Sequence, residues 1–354
     1  MEFIDLKAQY RFLKDRIDAR IEKVLEHGQY INGPEVKELE QKLSEFVDVK
    51  HTITCANGTD ALSLLLKALK IGPGHAVFCP TFTFFATAEV ISNAGATPIF
   101  IDSDLDTFNM CPKDLKQKIQ NTYHLKDLMP KAVISVDLFG LPADYVNIEK
   151  IVNEHNLLLI EDAAQGFGGE INNRKAGSFG IAATTSFFPA KPLGCYGDGG
   201  AIFTNNERLA HLLTSLRAHG QGNSKYDNVR IGFNSRLDTI QAAILLEKLN
   251  VFPVELASRQ VAAKKYKEKY PQYIAPKVPV GFKSSWAQYT LRTQNRDKAI
   301  KEFQSSGIPT NIYYPKCLHD QEAFRDIRHL QYNLDRSEEL AKTVFSLPMH
   351  GYLS

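Results

Sequence analysis

The sequence has no paired-cysteine pattern and no long apolar run. Its five cysteines (Cys55, Cys79, Cys111, Cys195 and Cys317) are odd in number, widely spread and free of any CxxC. That spacing speaks against a disulfide framework and against a cysteine-based zinc site, and it fits a reducing cytoplasm. No apolar stretch approaches the roughly 20 residues a membrane helix needs. Met1-Glu2-Phe3-Ile4-Asp5-Leu6 lacks the basic start and apolar core of a signal peptide. An excess of charge is missing too. Lys and Arg number 42 against 40 for Asp and Glu, a net +2, which gives no argument for nucleic acid or membrane as a partner. An anionic substrate then needs a local basic site. There is no Gly-Lys-Ser/Thr of a P-loop. The G-x-G-x-x-G of a nicotinamide oxidoreductase is also absent, since the first strand–helix junction reads Asn57-Gly58-Thr59-Asp60. No internal repeat or low-complexity segment occurs.

What is present is an ordinary globular mixture, 44% hydrophobic and 23% charged over 354 residues, long enough for two domains. Residues 7–27 carry Leu13, Ile17, Ile21 and Val24 at amphipathic-helix spacing, and Gly28 with Asn32-Gly33-Pro34 ends the pattern before a second helix over 35–47. From His51 on, short apolar runs rich in β-branched and aromatic residues alternate with helical stretches. These runs cover 51–56, 76–80, 97–102, 132–138, 157–162, 183–188 and 201–204, and they read as strands. The alternation implies an α/β fold with a largely parallel sheet. The last two strands, joined by a glycine-rich turn, predict local antiparallel pairing. Helices are expected over 206–218, 236–250 and 256–270. The Asn250–Pro253 stretch reads as a boundary between a large domain (1–250) and a smaller C-terminal α/β domain (251–354).

Four strand ends carry candidate chemistry, where open α/β sheets bind ligands. Asn57-Gly58-Thr59-Asp60 opens a helix whose free N–H groups suit a phosphate; a plain helix cap by Thr59 or Asp60 is the alternative. Thr83-Phe84-Phe85-Ala86-Thr87 offers an aromatic that could stack on a flat heterocycle or merely fill the core. Glu161-Asp162-Ala163-Ala164-Gln165 delivers two acids at the end of an apolar strand. A buried acid needs a cation or hydrogen bonds, and a protonated pyridine nitrogen is one such cation; capping of a following helix by Asp162 is the other reading. Ser186-Phe187-Phe188-Pro189-Ala190-Lys191-Pro192-Leu193-Gly194 sets one lysine in an apolar loop. Desolvation there favours the neutral amine that a Schiff base requires, against the bland reading of a surface lysine in a turn.

In order and spacing these stations resemble the plan of fold-type-I pyridoxal-phosphate enzymes, and more narrowly the DegT/DnrJ/EryC1/StrS sugar aminotransferases. The resemblance runs from Phe3-Ile4-Asp5-Leu6 through Gly33-Pro34-Glu35 to Ser346-Leu347-Pro348-Met349-His350. It is most specific at Ser186–Ala201. It implies a large α/β/α domain with a mixed, mostly parallel sheet. By this likeness Lys191 carries pyridoxal 5'-phosphate as a Schiff base and later shuttles a proton, and Asp162 pairs with the pyridinium nitrogen. Gln165 would reach the ring's phenolic oxygen, Phe84 would stack on the ring, and Gly58, Thr59 and Ser186 would hold the phosphate. Asn234 and Arg236 would serve the neighbouring subunit's phosphate and substrate in a homodimer, and Tyr313-Tyr314 would contact substrate.

The implied reaction is a two-stage transamination. An amino donor, L-glutamate in most relatives, leaves pyridoxamine phosphate, and a nucleotide-linked keto-sugar then takes up the nitrogen. Gly194-Cys195-Tyr196-Gly197-Asp198-Gly199-Gly200 looks like members that aminate C3, including those making 3-amino uronic acids for O-antigen, which favours a UDP-linked 3-keto-hexose or hexuronate. Those 3-keto-uronate enzymes carry His where this chain has Tyr313, and relatives usually add a helix beyond the position of Ser354. The alternatives are amination at C4, a sugar dehydratase of the same superfamily (His in place of Lys191), and a non-catalytic regulator that binds the cofactor.

Overall fold

In a computed structural model, residues 1–224, 226–330 and 333–353 are described, and for 328–330 only the backbone. Ser354 lies outside the described residues. The chain opens with α1 (Leu6–His27) and α2 (Pro34–Val47), followed by β1 (His51–Cys55), α3 (Gly58–Ala68), β2 (His75–Pro80), α4 (Ala86–Asn93), β3 (Thr97–Ile101) and α5 (Pro112–Thr122). Next come β4 (Met129–Val136), α6 (Tyr145–Glu154), β5 (Leu158–Asp162), the short β6 (Glu170–Ile171) and β7 (Arg174–Lys175), β8 (Ala182–Ser186), β9 (Gly200–Thr204) and α7 (Glu207–Leu216). The last third holds α8 (Thr239–Lys269), β10 (Phe282–Lys283), β11 (Tyr289–Arg292), α9 (Arg296–Ser305), α10 (Asp335–Thr343) and β12 (Val344–Leu347).

A seven-stranded sheet runs in the order β1-β9-β8-β5-β4-β2-β3. β9 is antiparallel to both β8 and β1, while the β5–β8, β4–β5, β2–β4 and β2–β3 pairings are parallel. Strand alternation sends Val77 and Cys79 to one face, among α3, α4 and α7, and Ala76 and Phe78 to the other, against α5 and α6. α2 and α8 cover that second face beneath Ala183, Ala201 and Phe203. Both faces are buried, as parallel sheets require. This is the α/β, largely parallel arrangement expected from the strand–helix alternation, and it matches the fold-type-I plan that the resemblance implies. All five cysteines are buried and unpaired, and among the described residues no helix is long and apolar enough to cross a membrane.

The helix ends follow local chemistry. Asp5 Oδ1 accepts the Ala8 N–H at 2.7 Å, and α1 stops at Gly28, whose φ is +68°. α3 is capped by Asn57, whose Oδ1 accepts the Asp60 N–H at 2.7 Å. The cap is therefore neither Thr59 nor Asp60. The helices expected over 236–250 and 256–270 are one 31-residue helix, α8, with Pro253 inside it. Leu249 and Phe252, in the turn just before the proline, are buried against α2 and the sheet, and Leu256 just after it packs on the same cluster; this packing outweighs the missing proline N–H. Beyond it, α9 and the β11–β12 pair close on the second half of α8 around Phe303, Phe345 and Tyr289, a core separate from those of the large sheet.

Candidate active site

The carboxyl ends of β1, β2, β5 and β8 open into one cavity of about 610 Å3, within the 300–1,000 Å3 typical of small-ligand sites. Lys191 reaches it from the β8–β9 loop. That loop is closed at its base by Phe187 N–H to Gly199 O at 2.7 Å and Cys195 N–H to Phe187 O at 2.8 Å. It is held from α8 by Lys248 Nζ donating to Gly194 O at 2.6 Å and by Gln241 Oε1 accepting Tyr196 N–H at 2.8 Å. Apolar neighbours leave the Lys191 amine without a hydrogen bond or ion pair among the described residues. Burial lowers its pKa, opposed by the charge of Asp162.

Asp162 ends β5 on the cavity side, only 7% exposed. Its Oδ2 accepts from Thr87 Oγ1 and its Oδ1 from Ala164 N–H, both at 3.2 Å. No helix begins at Asp162, so helix capping is not its role. Burial raises its pKa, against the pull of the Ala164 N–H and of Lys191. A buried acid held by two long hydrogen bonds can still accept a cationic partner from the cavity.

Opposite, Gly58 and Thr59 open α3 beside Ser186. A Cβ on Gly58 would come within 2.7 Å of Ser186 Cβ, so only glycine lets the helix start approach the strand end this closely. Gln165 is buried, accepts Phe139 N–H on Oε1 at 2.8 Å, and donates from Nε2 to Tyr314 Oη at 3.4 Å. Phe84 stands at the mouth, its ring centroid 6.3 Å from that of Tyr314. Tyr313 lines the same wall, edge-on to Phe3 at 6.1 Å.

Nine of the sequence-derived residues thus meet at one cavity: Gly58, Thr59, Phe84, Asp162, Gln165, Ser186, Lys191, Tyr313 and Tyr314. Asn234 and Arg236 do not. Asn234 is exposed and bridged to Ala218, and Arg236 is half-buried outside the cavity. Sequence reasoning also missed part of the lining, notably Ile4, Asp198 and Gln288. Thr83 was in view only as a neighbour of Phe84. Its buried Oγ1 has no partner among the described residues. Only chain order could have flagged Thr83, which follows a strand as Ser186 ends one.

The residues present fit the implied cofactor. A helix N-terminus with Thr59 and Ser186 suits a phosphate, a desolvated amine suits an aldehyde, and an under-partnered buried acid suits a protonated ring nitrogen. The unsatisfied Thr83 hydroxyl awaits a polar group in the same space.

Comparison with known proteins agrees. The model of the DegT/DnrJ/EryC1/StrS aminotransferase family matches residues 12–354. UDP-2-acetamido-2-deoxy-3-oxo-D-glucuronate aminotransferase of Pseudomonas aeruginosa is 45% identical over all of this chain and 96% of its own length. A pleiotropic regulatory protein of Geobacillus stearothermophilus is 39% identical, over 98% of this chain and 92% of its own. UDP-N-acetyl-3-dehydro-alpha-D-glucosamine 3-aminotransferase of Acidithiobacillus ferrooxidans is 38% identical, again over 98% and 92%. Among solved structures, a DegT DnrJ EryC1 StrS aminotransferase from Brucella abortus superposes with a TM-score of 0.97 at 51% identity, covering 100% of this chain and 95% of that one. NtdA of Bacillus subtilis, solved with bound cofactor PMP, gives a TM-score of 0.86 at 28% identity, covering 95% and 77%.

Proposed function

Because this chain belongs to the DegT/DnrJ/EryC1/StrS aminotransferase family, we propose that it transfers an amino group, through pyridoxal 5'-phosphate, to a UDP-linked 3-keto-hexose or hexuronate. The observation that carries the reading is the pairing of a half-buried, unpartnered lysine with a buried acid across one cavity that also takes in a helix N-terminus. The UDP-3-keto-sugar class rests on the Gly194–Gly200 sequence and on the kinship with the two UDP-sugar 3-aminotransferases.

When bound, pyridoxal 5'-phosphate supplies an aldehyde that accepts the amino group and a ring that draws electron density from the adjacent carbon. Lys191 Nζ holds the cofactor covalently and then, as a free amine, takes a proton from the donor's α-carbon and returns it on the other side of the transfer. Its apolar loop lowers the amine's pKa and so favours the neutral form, against the charge of Asp162. Asp162 keeps the ring nitrogen protonated, and Thr87 keeps Asp162 aimed. Gly58, Thr59 and Ser186 anchor the phosphate, Gln165 orients the ring oxygen, and Phe84 covers the ring. Tyr313 and Tyr314 meet the sugar. L-glutamate is the donor in the first half, and the keto-sugar nucleotide takes the nitrogen in the second.

Asn234 and Arg236 complete the cavity of a second copy, which makes the catalytic unit a homodimer. The enzyme works in the cytoplasm, and its amino sugar feeds a surface polysaccharide such as the O-antigen of lipopolysaccharide.

The test is reverse transamination with 2-oxoglutarate, comparing UDP- and dTDP-linked 3-amino and 4-amino sugars. Loss of amine from a UDP-3-amino sugar is expected to be fastest. Preference for a 4-amino or dTDP-linked sugar would overturn the substrate assignment. A yellow protein that does not bleach with glutamate would favour the regulator.

A further inference from the structure

Transamination uses one of the two acids that end β5 and leaves Glu161 without a role. Leu159 belongs to the core on the α5–α6 side and Ile160 to the core on the α3–α4 side. By strand alternation Glu161 points to the first side and Asp162 to the second, toward Thr87 of α4. Ser135 of β4 is in register with Glu161. Asp137 lies two residues further on, on the same face and diagonally opposite Glu161.

Asp137 and Glu161 are both completely buried. Glu161 is hydrogen-bonded as an anion is: Oε1 accepts Gly177 N–H at 2.7 Å and Oε2 accepts Phe179 N–H at 2.8 Å. Asp137 Oδ1 accepts Tyr145 Oη–H at 2.8 Å and Ala143 N–H at 3.0 Å. Its Oδ2 has no partner among the described residues. Gly166 lies directly over that oxygen, where a Cβ would come within 2.2 Å. The titratable groups facing Asp137 are Tyr145 from α6 and Glu161 and Asp162 from β5. None of these is a cation. The nearby basic residues of β7 are engaged elsewhere, Arg174 with Glu149 and Lys175 with Glu170. Two carboxylates in one dry site cannot both stay ionised.

We propose that Asp137 carries a proton on Oδ2 and donates it to Glu161, so that the pair holds a single negative charge, on Glu161, and locks β4, β5 and the 177–179 loop together behind Asp162. The proton comes from solvent on folding, and no other bond changes. The hydrogen bonds decide where it sits. Glu161 faces two N–H donors that demand lone pairs, whereas Asp137 Oδ2 faces none. Burial raises both acids, Asp137 up to about 7 and Glu161, beside the Asp137 charge, well above its ordinary range. The raised proton affinity thus belongs to the pair, and it is the two N–H donors on Glu161 that assign the shared proton to Asp137. The lock also holds the catalytic side of the strand: Asp137 N–H donates to Asp162 O at 3.1 Å. Asp137 and Glu161 are thus positioning residues for Asp162. This last clause rests on the proposed role of Asp162, but the protonation itself does not.

Infrared spectroscopy of the cofactor-free protein tests the protonation. A protonated-carboxyl band is expected at neutral pH that moves on 13C-labelling of aspartate, stays on labelling of glutamate, and disappears in Asp137→Asn. A band that follows the glutamate label, or that survives Asp137→Asn unchanged, overturns the proposal. Thermal unfolding gives a second reading. The native pair holds a proton that the unfolded carboxyls have lost, so wild-type stability falls as pH rises above about 4, and the fall continues through about 7 and beyond, until the pair's raised proton affinity is exceeded. Asp137→Asn keeps the donor to Glu161 and should flatten that slope. Glu161→Gln sets an amide N–H2 against a backbone N–H and should lower the melting temperature at every pH. The reverse ranking of the two variants would place the proton on Glu161 and refute the assignment. In the cofactor-loaded protein, Asp137→Asn leaves the charge behind Asp162 unaltered. The pH midpoint of the visible band should therefore stay in place, and a moved midpoint would contradict the charge assignment.

Discussion

Gly58 lies against Ser186 so closely that a Cβ on the glycine would sit 2.7 Å from the serine's Cβ and 3.3 Å from its Oγ. The obstruction is strand-end side chain and backbone, not the far tip of a flexible chain, so it cannot swing away cheaply. Gly58→Ala should push the start of α3 away from the end of β8, at the point where both are proposed to hold the cofactor's phosphate. The expected result is a folded protein whose pyridoxal-phosphate dissociation constant rises by about tenfold or more, equivalent to roughly 1.4 kcal/mol. Equilibrium titration of the cofactor-free protein measures it, and wild-type affinity in Gly58→Ala would remove Gly58 from the phosphate site.

Lys191 and Asp162 oppose each other electrostatically, and that sets a pH dependence. Burial lowers the lysine below its ordinary 10.5 and the Asp162 charge partly restores it. The neutral amine is the reactive form, so capture of pyridoxal phosphate by the cofactor-free protein should accelerate with rising pH and level off below 10.5. Asp162→Asn removes the charge that favours the ammonium and should move the plateau to lower pH. Stopped-flow absorbance at the visible band gives both midpoints. A midpoint for Asp162→Asn above that of the wild type would reverse the assigned sign. The same variant should turn over at least about 100-fold more slowly, through loss of the protonated ring nitrogen.

How far the sequence foretold this site depends on where each signal lies. Residues at strand ends announced themselves, because the switch from an apolar run to Asn57-Gly58-Thr59 or Glu161-Asp162 is local. The layered sheet was legible for the same reason, since short, unbroken apolar runs such as β2 and β5 announce strands buried on both faces, and in the fold their successive side chains go to opposite cores. Pro253 misled, because a proline reads locally as a break, whereas burial of Leu249 and Phe252 against distant elements carries α8 through it. Ile4 and Gln288 join the cavity from far along the chain and bear no local mark. The helix cap went to Asn57 and not to Thr59 or Asp60 because the β-region backbone of residue 57 (φ −165°) aims its side chain at the Asp60 N–H. Asn234 and Arg236 were read through family likeness alone, and in one chain they stand apart from the cavity.

That separation yields a prediction about assembly. If each cavity uses Lys191 from one copy and Asn234 from the other, an Asn234→Ala subunit paired with a Lys191→Ala subunit has one intact site and one doubly broken one. Random mixing of the two inactive variants in equal amounts makes half of the dimers mixed, so activity should recover to about one quarter of wild type. Activity after co-refolding or subunit exchange is the measurement. No recovery, in a mixture shown by mass to contain mixed dimers, would contradict shared sites.

Lys248 supports the catalytic loop from behind, and it was not singled out in the sequence. It is 1% exposed, its Nζ donates to Gly194 O at 2.6 Å and lies 4.1 Å from the centre of the Tyr196 ring. Burial lowers its pKa to about 8, against the pull of Glu255 and Cys195. Between that value and the ordinary 10.5 the unfolded chain binds more protons than the folded one. This group's contribution to stability therefore rises with pH across the window. Lys248→Met should abolish that rise, which is on the order of 2 kcal/mol. It also strips Gly194 O of its donor, so at neutral pH the loop carrying Lys191 should loosen and cofactor retention should fall by roughly 3- to 10-fold. Melting curves of the cofactor-free proteins at about pH 7.5 and about pH 9.5 separate the two effects. Equal slopes in wild type and Lys248→Met would mean that the buried amine does not titrate in this range. Unchanged retention would mean that the loop is held by Gln241 and its own backbone bonds alone.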